Sequence, residues 1–173
     1  DSNTHLDTRR IGDAFIQTFF QTTFTAPINK TMNGILEYGL MSLLYTGESN
    51  LDLLNNELHA GIEKKLTKDI TLSSGYYLDW TNYVNSSSDD FVDDRIDLKL
   101  KQNLPLKMYH SFRYELSYKN YIQRHIRTSA SLYSDKKRRD FRDTLEYEIG
   151  KYFPKDFYKL GFQYYFNDSN ETY

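Results

Sequence analysis

Residues Leu54–Leu66 read LNNELHAGIEKKL. Taking every second residue gives Leu54, Asn56, Leu58, Ala60, Ile62, Lys64 and Leu66. The residues between them are Asn55, Glu57, His59, Gly61, Glu63 and Lys65. A β-strand sends successive side chains to opposite faces, so this segment has one apolar and one wet face. A helix would scatter the same residues around its circumference.

The alternation continues on both sides of this segment. Ile70, Leu72, Tyr76, Leu78 and Trp80 oppose Thr71, Ser73, Gly75 and Asp79, and Val92, Ile96, Leu98 and Leu100 oppose Asp93, Arg95, Asp97, Lys99 and Lys101. Met108, Phe112, Tyr114, Leu116 and Tyr118 oppose Ser111, Arg113, Glu115 and Ser117. Phe141, Leu145, Tyr147 and Ile149 oppose Arg142, Thr144, Glu146 and Glu148. Tyr158, Leu160, Phe162, Tyr164 and Phe166 oppose Lys159, Gly161 and Gln163. Two less regular segments precede Leu54. The pattern predicts about eight strands, at 13–26, 31–45, 53–66, 70–80, 91–102, 107–119, 139–152 and 157–167. Most are longer than the ~5–6 residues usual in globular sheets and suit a tilted membrane crossing.

Composition narrows the classes. The chain has 173 residues, no cysteine, a net charge of −2, 16 Tyr and 11 Phe. Its mean hydropathy is −0.72. Without cysteine there is no disulfide scaffold, Cys-ligated metal or thiol nucleophile. The longest uncharged apolar run, Leu40–Tyr45, is far below the ~20 residues of a spanning helix. Disordered chains are poor in aromatics, and this one is rich in them. Low mean hydropathy with many aromatic rings suits a membrane β-barrel, in which half of every strand faces water. The expected fold is therefore all-β: an antiparallel up-and-down transmembrane β-barrel. Residues 1–173 would form one barrel domain or a contiguous segment of a larger barrel.

The exceptions on the apolar face are Asn56, Lys64, Asp94, His110 and Asp143, all near strand ends. A charge at the bilayer midplane costs about 2–4 kcal/mol and far less at the interface. Tyr45, Trp80, Tyr118, Phe141, Tyr158 and Phe166 also gather near strand ends, as an interfacial aromatic girdle would. The wet face supplies the expected lumen lining: Glu57, His59, Glu63, Lys65, Asp93, Arg95, Asp97, Lys99, Arg113, Glu115, Glu146 and Glu148. Its mixed signs predict weak ion selectivity.

Short turns at Pro27–Lys30, Thr67–Asp69, Asn103–Lys107 and Phe153–Asp156 alternate with longer polar links at Thr46–Asp52, Thr81–Asp90 and Asn120–Asp140. Opposite-charge pairing across the hairpin at Leu104–Leu106 favours a register that sets Arg95 against Glu115 and Asp97 against Arg113.

At this level the chain resembles bacterial outer-membrane β-barrel proteins. The segment Lys159-Leu160-Gly161-Phe162-Gln163-Tyr164-Tyr165-Phe166 is similar to the terminal strand motif read by the barrel-assembly machinery. Residues Asn167–Tyr173 follow it, whereas in the family the motif closes the protein. The resemblance implies short turns in the periplasm and long loops outside. Strand one would then run inward and strand eight outward. Complete barrels of the family keep both termini in the periplasm, so the expectation is an eight-strand part of a larger barrel. A closed eight-stranded barrel of unusual loop polarity is the alternative.

The resemblance implies a bacterial outer-membrane location. Lipid bilayer, lipopolysaccharide, the assembly machinery, and partner subunits or further barrel strands are the expected partners. No nucleic acid is expected, since no aromatic-basic sheet motif is present. No cofactor, metal site or catalytic group is expected either: His59 lies mid-strand, His5 and His125 in loops, and nothing marks Ser73 or Ser74 as activated. Arg124, His125, Arg127 and Lys136–Arg139 make the third long link basic, as a solvated loop or as a contact for anionic surface polymer. Gly75, Gly150 and Gly161 on the wet face are read as relieving crowding. The leading functional expectation is a passive pore or export channel. The alternatives are a structural or adhesion barrel with a filled interior, and a soluble sheet with a lipid-binding core.

Overall fold

The computed structural model describes residues 14–47, 49–85, 89–127 and 133–170. His5, the stretch 1–12 and parts of the three longer links lie outside them. The described residues form one eight-stranded antiparallel sheet in which every strand pairs with its sequence neighbours. The strands are β1 (Phe15–Asn29), β2 (Met32–Tyr45), β3 (Leu53–Lys65), β4 (Ile70–Tyr83), β5 (Phe91–Leu104), β6 (Met108–Arg127), β7 (Tyr133–Tyr152) and β8 (Phe157–Ser169). This is an all-β, up-and-down architecture. β1 and β8 are its two edges, and they do not pair with each other.

The link expected at 120–140 is mostly strand. β6 runs on to Arg127 and β7 begins at Tyr133. A register irregularity between Asn120 and His125 breaks the period-two pattern there, although Tyr121, Ile122 and Ile126 favour extended backbone. β1 likewise extends through Pro27 to Asn29, with a register shift at Pro27. An edge strand tolerates a residue that cannot donate to the ladder.

The two faces are those of the sequence pattern, and their burial is inverted relative to a water-soluble sheet. Leu58 is 38% exposed, Leu98 49%, Phe112 48% and Leu160 58%, while Asp93 and Asp97 are 8% and 7%. Polar side chains shelter one another on the central strands and apolar ones splay apart. A sheet concave on its polar side produces that inversion. Among the described residues the apolar face forms no core of its own.

Candidate functional site

The strand register arranges the polar face in rows across the sheet. Gly39, Glu57, Asp79, Asp93, Lys119 and Asp140 oppose one another in one row. The next row toward the short turns is Glu37, His59, Tyr77, Arg95, Ser117 and Arg142. Then come Gly61, Gly75, Asp97, Glu115 and Thr144, followed by Glu63, Ser73, Lys99, Arg113 and Glu146. A last row holds Lys65, Thr71, Lys101, Ser111 and Glu148. The row nearest the long links is thus the most acidic, and the rows nearer the short turns mix both signs.

Like charges opposed within a row are unfavourable, and two arginines offset them by reaching along diagonals. Arg95 pairs with Glu57, lies 3.5 Å from Asp79 and 4.0 Å from Asp93, and so serves three of the four carboxylates of the first row. Arg113 pairs with Asp97 at 2.8 Å, Glu115 at 2.7 Å and Glu146 at 3.7 Å. Tyr77 sits between them, with the guanidinium carbons 5.0 and 5.9 Å from its ring centre. Its other neighbour is His59, stacked at 4.0 Å with the two rings nearly parallel. The imidazole spreads over Gly61 and Gly75, whose missing Cβ atoms leave it room. Ser117 donates to Asp93 at 2.6 Å, and Asn55 donates to Thr81 at 2.8 Å and to Asp79. Near the short turns Glu148 accepts from Tyr109 and, at 3.0 Å, from Lys159, while Tyr109 packs over Gly150.

The hairpin register differs from the expected one. Arg95 faces Ser117, Asp97 faces Glu115 and Lys99 faces Arg113. The turn is Pro105–Lys107, closing on Leu104↔Met108, with Leu106 and Lys107 at positive φ. Proline presets φ and lacks an N–H, so it begins the loop instead of sitting at its middle, and this moves the register by two positions. The long arginine side chains then recover by diagonal contact the charge pairing lost directly across the strands. Cysteines introduced as Leu100→Cys with Phe112→Cys are expected to cross-link under oxidation, since directly opposed residues match disulfide spacing. Leu100→Cys with His110→Cys, opposed in the other register, is expected to cross-link at least 10-fold more slowly. Equal rates on non-reducing gels would contradict the observed pairing.

Glu57, His59, Arg95, Asp97, Arg113, Glu115 and Glu146 are thus brought together. Glu63 and Lys65 lie toward the short-turn end of β3. Trp80, Tyr118, Phe141, Tyr158 and Phe166 share the apolar face, but Tyr45 does not. It opposes Phe15 on the polar face, with the rings 5.8 Å apart, because Leu44 occupies the outward position. Ser74 is outward and donates to the Asp97 carbonyl at 2.9 Å. A Cβ placed at Gly161 would lie 3.7 Å from the nearest atom, the Tyr147 carbonyl oxygen, an ordinary contact, so no described residue crowds that position.

The apolar face carries a feature not anticipated from the sequence. Its polar exceptions each meet a neighbouring hydrogen-bonding side chain: Tyr38 donates to Asn56 at 2.8 Å, Tyr76 to Asp94, and Tyr114 to Asp143 at 2.6 Å. At the opposite end His110 contacts Gln102 at 2.9 Å. Lys64, by contrast, is simply exposed near its turn. Beyond Phe141, Asp140 is inward. Burial raises its pKa, but hydrogen bonds from Arg138 and Ser169 outweigh that and hold the carboxyl below its usual range. Among the described residues no group of three His, Asp or Glu side chains is placed to hold a metal ion.

No family model matches this sequence, and no curated protein does. Among solved structures the sheet is similar to Acinetobacter baumannii OccAB3, an outer-membrane porin, with a TM-score of 0.53 at 16% identity. The match covers 89% of this chain and 43% of that one, so the chain spans less than half the length of the porin it resembles. The likeness is one of fold, that of an antiparallel β-barrel wall.

Proposed function

We propose that this sheet is an arc of the wall of an outer-membrane pore. Its apolar face meets hydrocarbon and its banded polar face lines the water-filled lumen. The observation that carries this reading is the inverted burial of the two faces, with leucine and phenylalanine exposed and aspartate buried. A surrounding apolar solvent makes that arrangement favourable. Unpaired backbone groups along β1 and β8 are costly in lipid, so further strands, from the same polypeptide or from partner subunits, close the wall. A sheet of eight strands matching under half of a porin fits such an arc. Trp80, Tyr118, Phe141, Tyr158 and Phe166 would mark the interfaces, and the β8 segment Lys159–Phe166 is the strand offered to the assembly machinery.

Lys99 and Lys101 are two of the four cations in the two rows described nearest the short turns. Reconstituted in planar bilayers, the protein is expected to give discrete conductance steps. Lys99→Glu with Lys101→Glu should shift the reversal potential in a KCl gradient toward cation selectivity. Steps with an unmoved reversal potential would place these lysines outside the conducting path. A folded, monodisperse protein in buffer without detergent would overturn the membrane reading itself. The filled structural barrel draws on the close packing of Arg95, Arg113, Tyr77 and Tyr109, and it predicts a folded membrane protein with no steps.

A further inference from the structure

Beyond its aromatic rim the outward face turns basic. Phe141, Arg139 and Lys137 alternate along β7, so both cations share the side of the sheet that carries Phe141. At ~3.3 Å per residue along a strand tilted by about 40°, they stand about 5 and 10 Å above that ring. A bilayer of ~40–45 Å around a ~30 Å hydrocarbon core leaves about 5–8 Å of head groups on each side. Arg139 thus falls at the depth of lipid phosphates and Lys137 just above it.

Lys136, Lys137, Arg139 and Asn170 line a recess of ≈ 420 Å³. Asn170 ties it together: its amide oxygen accepts from the Arg139 N–H at 2.8 Å and its amide nitrogen donates to the Lys137 carbonyl at 3.1 Å. The Asn170 N–H also donates to the Arg139 carbonyl at 3.1 Å. Nearby cations on the other side are matched: Arg124 lies 3.3 Å from Asp89, and Arg138 2.9 Å from Asp140. Lys136, Lys137 and Arg139 form no ion pair with any described residue, although Asp135 and Asp168 are close in the strands.

We propose that Lys137, Arg139 and Asn170, in a recess that Lys136 also borders, form a binding site for the phosphate groups of an outer-leaflet glycolipid. The inference rests on the pore reading above, taken with the long links on the outer side of the membrane. A phosphate monoester carries about −1.5 to −2 charges, which two or three cations neutralise. The Arg139 guanidinium offers a planar fork to two phosphate oxygens while the lysines act as point charges. The asparagine lock holds the Arg139 and Lys137 backbones in place before a ligand arrives.

The test uses the full chain folded in detergent micelles, with bisphosphorylated lipid A, the same lipid without its phosphates, and inorganic phosphate as probes. The phosphorylated lipid is expected to bind at least 10-fold more tightly than the dephosphorylated one. The triple variant Lys136→Ala, Lys137→Ala, Arg139→Gln should abolish that preference, and Lys155→Ala at a short turn should leave it intact. Equal affinity for the two lipids, or a preference that survives in the triple variant, overturns the site. Inorganic phosphate binding as tightly as the lipid overturns the glycolipid assignment in favour of a free anion. If the triple variant does not fold, the two-lipid comparison on the unaltered chain decides alone. Lipid discrimination without conductance steps would sink the pore and leave this site standing; steps without discrimination would do the reverse.

Discussion

Arg95→Gln is expected to lower the unfolding free energy of the protein in lipid vesicles by about 3 kcal/mol. Glu57, Asp79 and Asp93 oppose one another in adjacent strands, and Arg95 is the cation that touches all three. Glutamine keeps most of the stem and some hydrogen bonding but removes the charge. Three carboxylates then face each other on a half-buried surface. Removing one partner of a fully buried pair costs about 3–5 kcal/mol, and a side chain about a fifth exposed falls at the lower end. Urea titration followed by tryptophan fluorescence reads the change, since Trp80 adjoins Asp79. Adding Glu57→Gln to the variant should recover about 1 kcal/mol or more, because it removes one repelling charge. A variant within 0.5 kcal/mol of the parent would show that the diagonal contacts do not hold the acidic row together.

The second large effect concerns Gly75. A Cβ there would run into the His59 ring and come within 3.2 Å of an Asp97 carboxylate oxygen. The ring has little freedom to retreat: it is stacked on Tyr77, and the neighbouring Gly61 lies 2.8 Å, at the position its Cβ would take, from the same imidazole nitrogen. Gly75→Val is expected to cost about 2–3 kcal/mol by overpacking. His59→Ala should relieve most of that, so the double variant should be more stable than Gly75→Val alone. Gly161→Val supplies the contrast, because the nearest atom to its Cβ position is 3.7 Å away, and it should change stability by less than ~0.5 kcal/mol. Additive effects of Gly75→Val and His59→Ala would show that the ring and the glycine are not packed as described.

Both faces of the sheet are legible in the sequence because one is apolar and the other polar, and alternation records that directly. Leu58, Leu98, Phe112 and Leu160 point outward as their parity requires. The hairpin register was not legible from opposed charges alone, since scoring Arg95 against its direct partner ignores how far a guanidinium reaches along a diagonal. The outer halves of β6 and β7 are not legible because β6 carries extra residues between Asn120 and His125, which break its alternation and the pairing it offers β7. Tyr45 was assigned to the rim by its position near a strand end, yet its parity had already placed it beside Phe15. The tyrosine caps left a usable trace: Tyr38 precedes Asn56, and Tyr76 precedes Asp94, by the same 18 residues. That spacing carries a side chain around one long link to its diagonal neighbour. The stacking of His59 over two glycines left no such trace, because it depends on which strands lie side by side.

Every strand here hydrogen-bonds only with its predecessor and successor, and a few long side chains such as Arg95 tie β5 past β4 to β3. Such a meander behaves as a linear array of coupled units, with stability close to a sum over adjacent interfaces. Loosening should therefore start at the flanks and work toward the middle. Amide exchange should be fastest in β1 and β8 of this chain unless added strands cover them, and slowest in β4 and β5. A lesion in β2 should leave the β6–β7 hairpin, with its basic recess, still zipped.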